Sequence, residues 1–428
     1  MAMMITIDQL DGTQKLSVER ALEATRRIVA TTGPAGSGKT TIMRLVYDAL
    51  KEAGFNPVIC APTGKAARRV REATGRPAQT IHMLLQYTRP MEINEKTGKP
   101  YGDTYPRRNR EFPIDHDAVL CDEYAMVPHG LHRNLIDALP RGGRLIAYGD
   151  LSQLPPIEKS QAIAAKQTPF GAMLEKFDGI VLDRIHRQAE DSGILDCLQR
   201  ILGGTAPRDN KDFKRIITDL PVDALIEQLD AADYRLLENQ ILTPANVSWI
   251  GTAKLNATLQ TMLMPEQRET LRLPRNKWDK NDLRIGVGDK VIMTKNWYDL
   301  ECSDNSIGVF NGEIGTVTEI SDVEEVVVDF GDRICRIPPA FQIVYKDMVT
   351  IGYPQQDLYL AYAITTHKAQ GSEYKNVIYV INKSLIKMLN RKNMYTALSR
   401  AREKATLIAD MKGLSMSITM KEPKVFGE

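Results

Sequence analysis

This chain lacks several features that mark other classes of protein. It has no run of about 18 apolar residues, which excludes a membrane-spanning helix. Its first residues lack the basic segment and the long apolar segment of a signal peptide. Its cysteines are odd in number, scattered and never arranged as C-x-x-C, which argues against a disulfide framework or a zinc site and favours a reducing cytoplasm.

The chain also lacks a strong overall charge, because its net charge is only +2. The charge is nevertheless unevenly distributed along the sequence. Between Cys60 and Arg110 there are eleven Lys and Arg residues but only four Asp and Glu residues. Such a local excess favours contact with a polyanion, although a solvated surface is the alternative. With 428 residues, 43% apolar and 26% charged, the chain has the composition of a soluble globular protein of two or three domains.

The segment from residue 33 to residue 40, GPAGSGKT, has the pattern G-x-x-x-x-G-K-T of a phosphate-binding loop. A β-rich run, Ile28–Thr32, precedes it, and a predicted helix over residues 41–50 follows it. In such a loop the backbone N–H groups and the helix N-terminus cradle phosphate, the lysine reaches the β- and γ-phosphates, and the last threonine ligates Mg²⁺. We therefore predict ATP and Mg²⁺ as cofactors. The residues predicted to hold the nucleotide are Gly33, Gly36, Ser37, Gly38, Lys39, Thr40 and Thr41.

Two further loops supply the polar groups that hydrolysis needs. Asp122 and Glu123 follow an apolar strand over residues 117–121, and Gln153 follows another strand over residues 144–149. Asp122 would hold Mg²⁺ together with Thr40, and Glu123 would orient or deprotonate the attacking water. Gln153 is placed to sense the γ-phosphate. Adjacent carboxylates also occur in ordinary loops, but the strand and the phosphate loop favour the metal site.

Small, hydroxylated and basic residues follow strands directly at two places, where open parallel sheets bind ligands, and Thr80 and His82 lie downstream of the first. The residues predicted to contact phosphate or sugar of a nucleic-acid strand are Pro62, Thr63, Lys65, Thr80, His82, Thr365, Thr366, His367 and Lys368. His82 taken alone is better explained as a structural histidine. Residues 86–113 are predicted to form a β-hairpin with its turn at residues 96–99, and Tyr101 and Tyr105 could stack on bases. An ordinary surface hairpin is the alternative.

Short strands at close spacing between residues 285 and 350 predict a small β-barrel. Asn311-Gly312 predicts a hairpin turn leading into the strand that follows Gly315. Residues 325–330 alternate weakly and predict a further strand. Residues 411–428 are interpreted as a mostly polar tail without an evident role.

In order and spacing, these motifs resemble those of the superfamily 1B DNA helicases of the RecD and phage Dda kind. The segments GDLSQLPP at residues 149–156 and AITTHKAQGSE at residues 363–373 are the most specific to that family. The resemblance implies roles for further residues: Gln14 would read adenine, Arg187 would contact the γ-phosphate, and Arg400 would be an arginine finger. It also adds Gly371 and Glu373 to the nucleotide site. Ser399-Arg400 stands where Thr-Arg is commoner.

The resemblance implies an α/β fold with two tandem RecA-like P-loop domains built on parallel sheets. The expected boundaries are residues 1–85 and 114–180 for motor domain 1A, and residues 86–113 for a β-hairpin pin inserted in it. Residues 181–283 and 351–428 would form motor domain 2A, and residues 284–350 an SH3-like β-barrel inserted in that domain.

The expected activity is ATP-dependent 5′-to-3′ DNA unwinding, with translocation on single-stranded DNA and separation of the duplex at the pin. Polarity and DNA preference rest on the resemblance alone. The alternatives are a nucleic-acid-stimulated ATPase or translocase that remodels protein–DNA complexes or acts on RNA, and a P-loop nucleotide switch. Expected partners are single-stranded DNA and single-strand/duplex junctions, with a replication or single-strand-binding protein as a candidate and no membrane. The expected location is a bacterial or phage-infected host cytoplasm, and the expected working form is a monomer in which the motor is the whole protein.

Overall fold

A computed structural model of the chain describes residues 6–23, 25–87, 92–93, 100–101, 105–158, 163, 167–182, 192–230, 238–264, 270–273, 284–303, 307–345 and 348–420. The chain divides into two compact units. Unit 1 comprises Met1–Arg89, Thr104–Gly203 and Lys421–Glu428, and unit 2 comprises Pro90–Asp103 and Gly204–Met420. None of the helices in the described ranges has both the length and the apolar character needed to cross a bilayer.

The helices alternate with strands in both units, as expected for an α/β protein. The α-helices are α1 (Gly12–Leu22), α2 (Lys39–Glu52), α3 (Gly64–Thr74), α4 (Ile81–Leu84), α5 (His129–Asp137), α6 (Pro169–Lys176), α7 (Gly193–Leu202), α8 (Pro221–Asp230), α9 (Thr252–Leu263), α10 (Thr366–Ala369), α11 (Arg391–Leu398) and α12 (Met411–Thr419). Short 3₁₀ turns span Ile7–Gln9, Tyr124–Met126, Pro354–Asp357 and Lys383–Leu385.

The strands of unit 1 are β1 (Ile28–Thr32), β2 (Pro57–Ala61), β3 (Ala78–Thr80), β6 (Ala118–Cys121), β7 (Arg144–Gly149) and β8 (Ile180–Val181). The strands β4 (Glu92–Ile93) and β5 (Pro100–Tyr101) lie in the predicted hairpin and are assigned to unit 2. The strands of the second parallel sheet are β9 (Phe213–Ile217), β10 (Asn239–Thr243), β22 (Ala363–Thr365), β23 (Tyr374–Ile381) and β24 (Ala401–Ala409). The remaining strands are β11 (Thr270–Arg272), β12 (Arg284–Gly286), β13 (Lys290–Met293), β14 (Trp297–Glu301), β15 (Ile307–Val309), β16 (Ile314–Ile320), β17 (Val326–Asp329), β18 (Ile334–Ile337), β19 (Phe341–Tyr345), β20 (Met348–Gly352) and β21 (Leu358–Leu360).

Unit 1 is built on a parallel six-stranded sheet in the order β3-β2-β6-β7-β1-β8. Every residue of β2, β6 and β7 is buried, as expected for parallel strands covered on both faces. The predicted strands over residues 28–32 and 57–61 are present with the predicted bounds. Helix α2 packs on this sheet through its apolar face, where Ile42, Met43 and Val46 are fully buried. The parallel register brings the carboxyl ends of the strands, and hence the candidate site residues, to one edge.

Unit 2 contains a second parallel sheet, in the order β22-β10-β23-β24-β9. Beside it lies an antiparallel sheet in the order β18-β17-β16-β13-β21, which is the core of the SH3-like domain. Fully buried Val291, Val326 and Val328 lie in its apolar core. The expected α/β fold with two parallel sheets and an SH3-like insertion is therefore present.

The hairpin predicted at Asn311-Gly312 is wrong. The strand before it, β15, pairs with β14, whereas the strand after it, β16, pairs with β13 and β17. Gly312 does supply the positive φ, +92°, that a tight turn needs. Its N–H group donates to the carbonyl of Met293 rather than closing a hairpin. The turn thus carries the chain from one sheet to another.

Two other expectations from the sequence are also wrong. Cys302 and Cys335 form a disulfide, and the same two residues form an antiparallel bridge between neighbouring strands. The odd number of cysteines could not reveal this pair, because 33 positions separate its members and only the sheet topology brings them together. The segment after residue 410 is not simply a polar tail, since α12 packs through buried Leu414 and Ile418. Residues 421–428 lie outside the described residues.

The predicted hairpin has antiparallel pairing, because Glu92 pairs with Tyr101 and Ile93 with Pro100. A further antiparallel bridge joins Tyr87 to Pro106. The predicted turn at residues 96–99 lies outside the described residues, as does the side chain of Tyr101.

Candidate nucleotide site and nucleic-acid interface

The phosphate loop runs from the end of β1 to the start of α2 and packs too closely for side chains at two glycines. A Cβ on Gly38, whose φ is +84°, would lie 2.5 Å from Nε2 of Gln14. A Cβ on Gly33 would lie 2.6 Å from Oγ of Ser37. The buried Ser37 hydroxyl has no hydrogen-bond partner among the described residues. The loop therefore has the close backbone packing and the polar group that a bound phosphate requires.

The side chain of Lys39 folds back onto the phosphate loop that precedes it. Its ammonium donates to the carbonyl oxygens of Gly33, at 2.7 Å, and Pro34, at 2.8 Å. Burial lowers the pKa of this ammonium, and the carboxylates of Asp150, Glu123 and Asp122 act in the opposite direction. The structure thus gathers two cations, Lys39 and Arg69, and three carboxylates around the loop. A polyphosphate with Mg²⁺ fits that set of charges, because phosphate oxygens suit the lysine and Mg²⁺ prefers carboxylate and hydroxyl ligands.

The Asp122 carboxyl lies in a setting that disfavours its charge. It is only 6% exposed. Burial, and then the neighbouring Glu123 carboxylate, raise its pKa to about 6, against the lowering effect of Arg69 and Lys39. A divalent cation would compensate a carboxylate held in such a place. No cluster of three His, Cys, Asp or Glu side chains able to hold a metal exists in the described part of the chain. A metal at Asp122 would therefore need the Thr40 hydroxyl and phosphate oxygens as further ligands.

Glu123 has a left-handed backbone conformation, with φ of +50° and ψ of +37°. Such a conformation costs a non-glycine residue roughly 1–3 kcal/mol and is retained where the surroundings impose it. Its side chain is buried, and its Oε1 lies 3.5 Å from Nη1 of Arg69 on α3. Arg69 and Asp150 are site residues that the sequence reasoning did not select. Arg69 lies four residues after Lys65 on a helix that starts at this edge, and this i, i+4 spacing is the sequence signal that could have identified Arg69.

Tyr124 anchors the turn that holds Glu123. Its ring is fully buried against Phe170, with ring centroids 6.0 Å apart. Its hydroxyl lies 2.8 Å from Nδ1 of His132 on α5. Burial lowers the pKa of His132, which favours the neutral imidazole as the partner of the Tyr124 hydroxyl in this hydrogen bond. On the other side, a Cβ on Gly149 would lie 3.0 Å from the backbone N of Ala125. The turn is therefore fixed both by a hydrogen bond and by close packing.

Gln14 has a different environment from the one expected of an adenine reader. Its Oε1 accepts from the backbone N–H of Asp11, at 3.2 Å, within a capping box that begins α1. Its Nε2 donates to the carbonyl of Ser37, at 3.0 Å. Gln14 thus ties α1 to the phosphate loop, and contact with adenine would require these bonds to break. Adenine reading by Gln14 stays a prediction.

Gln153 lies in the loop that follows β7. It is 5% exposed, and its Oε1 has no hydrogen-bond partner in the part of the chain that the structure describes. The loop is held by bonds from the Ser152 N–H to Oδ1 of Asp150 and from the Leu151 N–H to Oγ1 of Thr32. A buried amide oxygen without a partner costs free energy, so it is available to a ligand or a water that enters the site. The γ-phosphate-sensing role predicted for Gln153 stays a prediction.

In unit 1, two of the predicted strand-binding threonines cap helices at the same sheet edge. Oγ1 of Thr63 accepts from the N–H of Ala66 at the start of α3. Oγ1 of Thr80 accepts from the N–H of Met83 at the start of α4. The strands that precede these caps are neighbours, and Ala61 pairs with Thr80. The structure therefore brings Thr63 and Thr80 together at one edge.

The other residues predicted for this interface differ in exposure. Pro62 and Lys65 are partly exposed beside Thr63. The ring of His82 packs on Tyr87 with centroids 4.7 Å apart, and burial lowers its pKa. Tyr105 is 55% exposed. His82 therefore also has the packing expected of a structural histidine.

In unit 2, Thr365 repeats the arrangement of the unit 1 threonines. It ends β22, and its Oγ1 accepts from the N–H of Lys368 to cap α10. A cavity of about 700 Å³ opens beside it. Nζ of Lys368, which lines the cavity, lies 5.6 Å from the centroid of the Tyr359 ring. Thr366 is fully buried, so in this conformation it does not reach the cavity and the strand contact predicted for it is not supported. His367 is half-buried, and burial lowers its pKa.

The cavity also contains polar residues that the sequence reasoning missed. They come from α9, the loop before it and the strands of the SH3-like domain, which are far apart in the sequence. These residues are Asn246, Thr252, Asn256, Gln260, Arg284, Thr294 and Tyr359. No local sequence signal identifies them, because only the packing of these elements creates the cavity.

The predicted arginines have different outcomes. Arg400 is 2% exposed, and its guanidinium donates to the carbonyls of Thr396 and Ser372 and to Oγ of Ser399. These bonds attach it to the loop that contains Gly371, whose φ is +71°, and the half-buried Glu373. Arg187 lies outside the described residues. The finger role of Arg400 requires its guanidinium to leave these bonds, and it stays a prediction.

Three family models match the chain. An AAA domain matches residues 9–216, an ATP-dependent RecD-like DNA helicase SH3 domain matches residues 255–330, and a UvrD-like helicase C-terminal domain matches residues 360–408. The three matches follow the order of the motifs along the chain. They agree with the resemblance drawn from the sequence.

Relatives and solved structures give the same result. The ATP-dependent RecD2 DNA helicase of Deinococcus radiodurans is 31% identical over 385 residues, which are 89% of this chain and 47% of that protein. The RecBCD enzyme subunit RecD of Haemophilus influenzae is 24% identical, over 93% of this chain and 69% of that protein. A crystal structure of Pif1 helicase from Bacteroides in complex with ADP-AlF3 and ssDNA aligns with a TM-score of 0.59 at 21% identity, covering 97% of this chain and 95% of that one. The chain thus spans about half the length of the Deinococcus relative and shares its fold with the Bacteroides structure.

Proposed function

We propose that this chain, a RecD-like protein of superfamily 1B, is an ATP-dependent 5′-to-3′ DNA helicase. It would translocate on single-stranded DNA and separate duplex at the hairpin of residues 86–113. ATP and Mg²⁺ are the cofactors, and single-stranded DNA with its junctions to duplex is the substrate.

One observation carries the proposal. At the carboxyl ends of strands in each parallel sheet, threonines cap the helices that follow. They are Thr63 and Thr80 in unit 1 and Thr365 in unit 2. The described residues contain a phosphate loop in unit 1, between Gly33 and Thr40. Translocation needs one nucleotide site and two sites that contact the strand. The two strand-contacting sites can then bind and release the strand in turn as ATP opens and closes the motor. A nucleotide switch would not need a second strand-contacting site.

The roles of the residues in hydrolysis follow from their chemistry. Backbone N–H groups of the phosphate loop and Lys39 would bind the β- and γ-phosphates. Thr40 and Asp122 would hold Mg²⁺, which stabilises the developing negative charge. Glu123, positioned by Tyr124, would orient the attacking water and accept its proton. Gln153 and the two arginines, Arg187 and Arg400, would sense the γ-phosphate and make hydrolysis depend on closure.

The proposal is tested by strand separation with ATP and Mg²⁺ on two matched duplexes, one with a 5′ single-stranded tail and one with a 3′ tail. We expect unwinding of the 5′-tailed duplex alone. Unwinding from the 3′ tail would leave a helicase of the opposite polarity. If neither duplex is unwound while single strands still stimulate hydrolysis, the protein is a translocase. Repeating the stimulation with ribo-oligonucleotides tests DNA preference, because phosphate contacts alone do not distinguish the two sugars.

The hairpin has its own test. Replacing residues 91–104 by a short glycine linker should spare strand-stimulated hydrolysis and reduce unwinding. Replacing the barrel turn at residues 322–324, between β16 and β17, by the same linker is a matched control that should leave unwinding unchanged. Intact unwinding after the hairpin deletion would remove the pin from the proposal.

The remaining parts of the proposal concern the cellular setting. We propose a cytoplasmic enzyme of a bacterium or a phage-infected host that works as a monomer and meets a replication or single-strand-binding protein on DNA. Three buried cysteines form no disulfide within the described residues and support a reducing compartment, namely Cys60, Cys121 and Cys197. The Cys302–Cys335 disulfide does not support it. Sedimentation with and without oligonucleotide tests the monomer.

A further inference from the structure

The loop that follows β10 in unit 2 presents two apolar side chains to solvent. Val247 is 93% exposed, and the large indole of Trp249 is 47% exposed. A tryptophan exposed beside an exposed valine in one short loop is unusual for a surface that serves only solubility. We call residues 244–251 the Trp249 loop.

The Trp249 loop is held rigidly by its own hydrogen bonds. The Thr252 N–H donates to the Ala245 carbonyl, the Gly251 N–H donates to the Ser248 carbonyl, and Oγ1 of Thr243 donates to the Ile250 carbonyl at 3.0 Å. A Cβ on Gly251 would lie 2.5 Å from the carbonyl oxygen of Asn246, so the turn is too tightly packed for a side chain at this position. The apolar side chains are therefore exposed on a fixed scaffold and do not belong to a loose segment.

The indole of Trp249 is fixed at its polar edge. Its Nε1–H donates to Oγ of Ser384, at 3.0 Å, in the loop that follows the neighbouring strand β23. Lys383, next to Ser384, has an exposed side chain. With its N–H occupied, the exposed part of the indole can offer only apolar and π contacts. A flat aromatic surface beside a cation suits a nucleotide, whose base stacks and whose phosphate pairs with an ammonium.

The Trp249 loop continues the candidate strand site of unit 2. Thr243, at the end of β10, pairs in register with Thr365, the capping threonine at the end of β22. Asn246 and Val247 line the same cavity of about 700 Å³ as Thr365 and Lys368. A strand that leaves Thr365 along this wall therefore meets the Trp249 loop.

We infer that Trp249 is a base-stacking platform that extends the strand-binding site of unit 2 by one nucleotide beyond the capping threonine. This inference rests on the proposed function, because it requires a single strand at Thr365. Stacking on an aromatic side chain accepts every base, so the platform would add affinity without sequence preference.

The test measures binding of a twelve-residue oligothymidylate and of an abasic oligonucleotide of the same length. Replacing Trp249 by alanine should weaken oligothymidylate binding about 5- to 150-fold, which corresponds to about 1–3 kcal/mol per stacked base. Binding of the abasic strand should change less than about twofold, because it offers no base to stack. Trp249→Phe should retain most of the affinity, since the ring remains. Val323→Ala, at a 69% exposed valine in a turn of the same unit, is the control and should change neither affinity.

Tryptophan fluorescence gives a second readout. The chain has three tryptophans, at positions 249, 278 and 297. Oligothymidylate should quench the wild-type emission, and Trp249→Phe should remove most of that quenching. Equal losses of affinity for the alanine and phenylalanine variants would show that the bond to Ser384 is what matters and overturn the platform. Unchanged affinity in the alanine variant, with wild type binding normally, overturns it as well. If the wild type binds neither oligonucleotide, the proposed function fails rather than the platform alone.

Discussion

Replacing Asp122 by asparagine should stabilise unit 1 at alkaline pH while abolishing hydrolysis. The Asp122 carboxyl is 6% exposed, and its pKa is raised from 3.8 to about 6 by burial and by Glu123. Each pKa unit corresponds to about 1.4 kcal/mol, so holding the carboxylate charged costs the folded protein roughly 3 kcal/mol. For a domain of this size, such a difference shifts the melting temperature by roughly 6–12 °C.

The pH dependence gives the sign of the effect. The folded protein holds the Asp122 proton more tightly than the unfolded chain, so wild-type stability falls relative to the variant as pH rises from about 4 to about 6. The asparagine variant should therefore melt higher than wild type at pH 8 and at about the same temperature near pH 4. The assay is thermal unfolding at several pH values without nucleotide or Mg²⁺.

Asp178→Asn is the matched control for this experiment. Asp178 is an exposed partner of Arg20, and the hydrogen bond from that arginine lowers its pKa. This substitution should have no stabilising effect at pH 8. A constant difference between Asp122→Asn and wild type from pH 4 to pH 8 would refute the argument that the buried charge is the cause.

Four further predictions concern activity and stability. Lys39→Ala should abolish hydrolysis and leave single-strand binding largely intact, because the ammonium is needed to bind the β- and γ-phosphates of ATP. Retained turnover, measured by phosphate release, would disprove the phosphate-loop assignment. Glu123→Gln should still bind ATP and strand but turn over about 10²–10⁴ times more slowly; near-normal turnover would remove Glu123 from water activation. Tyr124→Phe removes only the hydroxyl that lies 2.8 Å from His132 and should lower kcat about tenfold with little change in KM for ATP; an unchanged kcat would show that the hydrogen bond does not position Glu123. Cys302→Ser opens a cross-link that spans 33 positions and should cost the SH3-like domain roughly 3–4 kcal/mol in urea unfolding; if wild type with and without reductant unfolds at the same urea concentration as the variant, the disulfide does not form in solution.

The nucleotide loop could be predicted from the sequence because its determinants are local. A strand, a glycine-rich turn and a helix start follow one another, and the structure has all three where the pattern indicates them. Thr63 and Thr365 were predicted for the same reason, since each follows an apolar strand directly. Local patterns of this kind do not depend on how distant segments pack.

The parts that were missed depend on distant segments. The disulfide joins Cys302 to Cys335 through a strand register that the spacing does not reveal. The adenine-reading role of Gln14 stays a prediction, but its bond to the Ser37 carbonyl, 23 positions away, could not be foreseen from the D-x-x-Q capping pattern at the start of α1. The burial of Arg400 depends on a loop 28 positions away, because its guanidinium bonds to the carbonyl of Ser372.

The threonine caps have a chemical consequence for selectivity. In Thr63, Thr80 and Thr365, a lone pair of the hydroxyl oxygen is committed to a backbone N–H group. The hydroxyl proton of each threonine remains available to a hydrogen-bond acceptor. A phosphodiester oxygen is such an acceptor, and it is present at every nucleotide whatever the base. In the proposed function these hydroxyls would therefore contact the nucleic-acid backbone, which is common to every sequence. Serine in these positions would keep the hydroxyl proton, whereas valine would remove it.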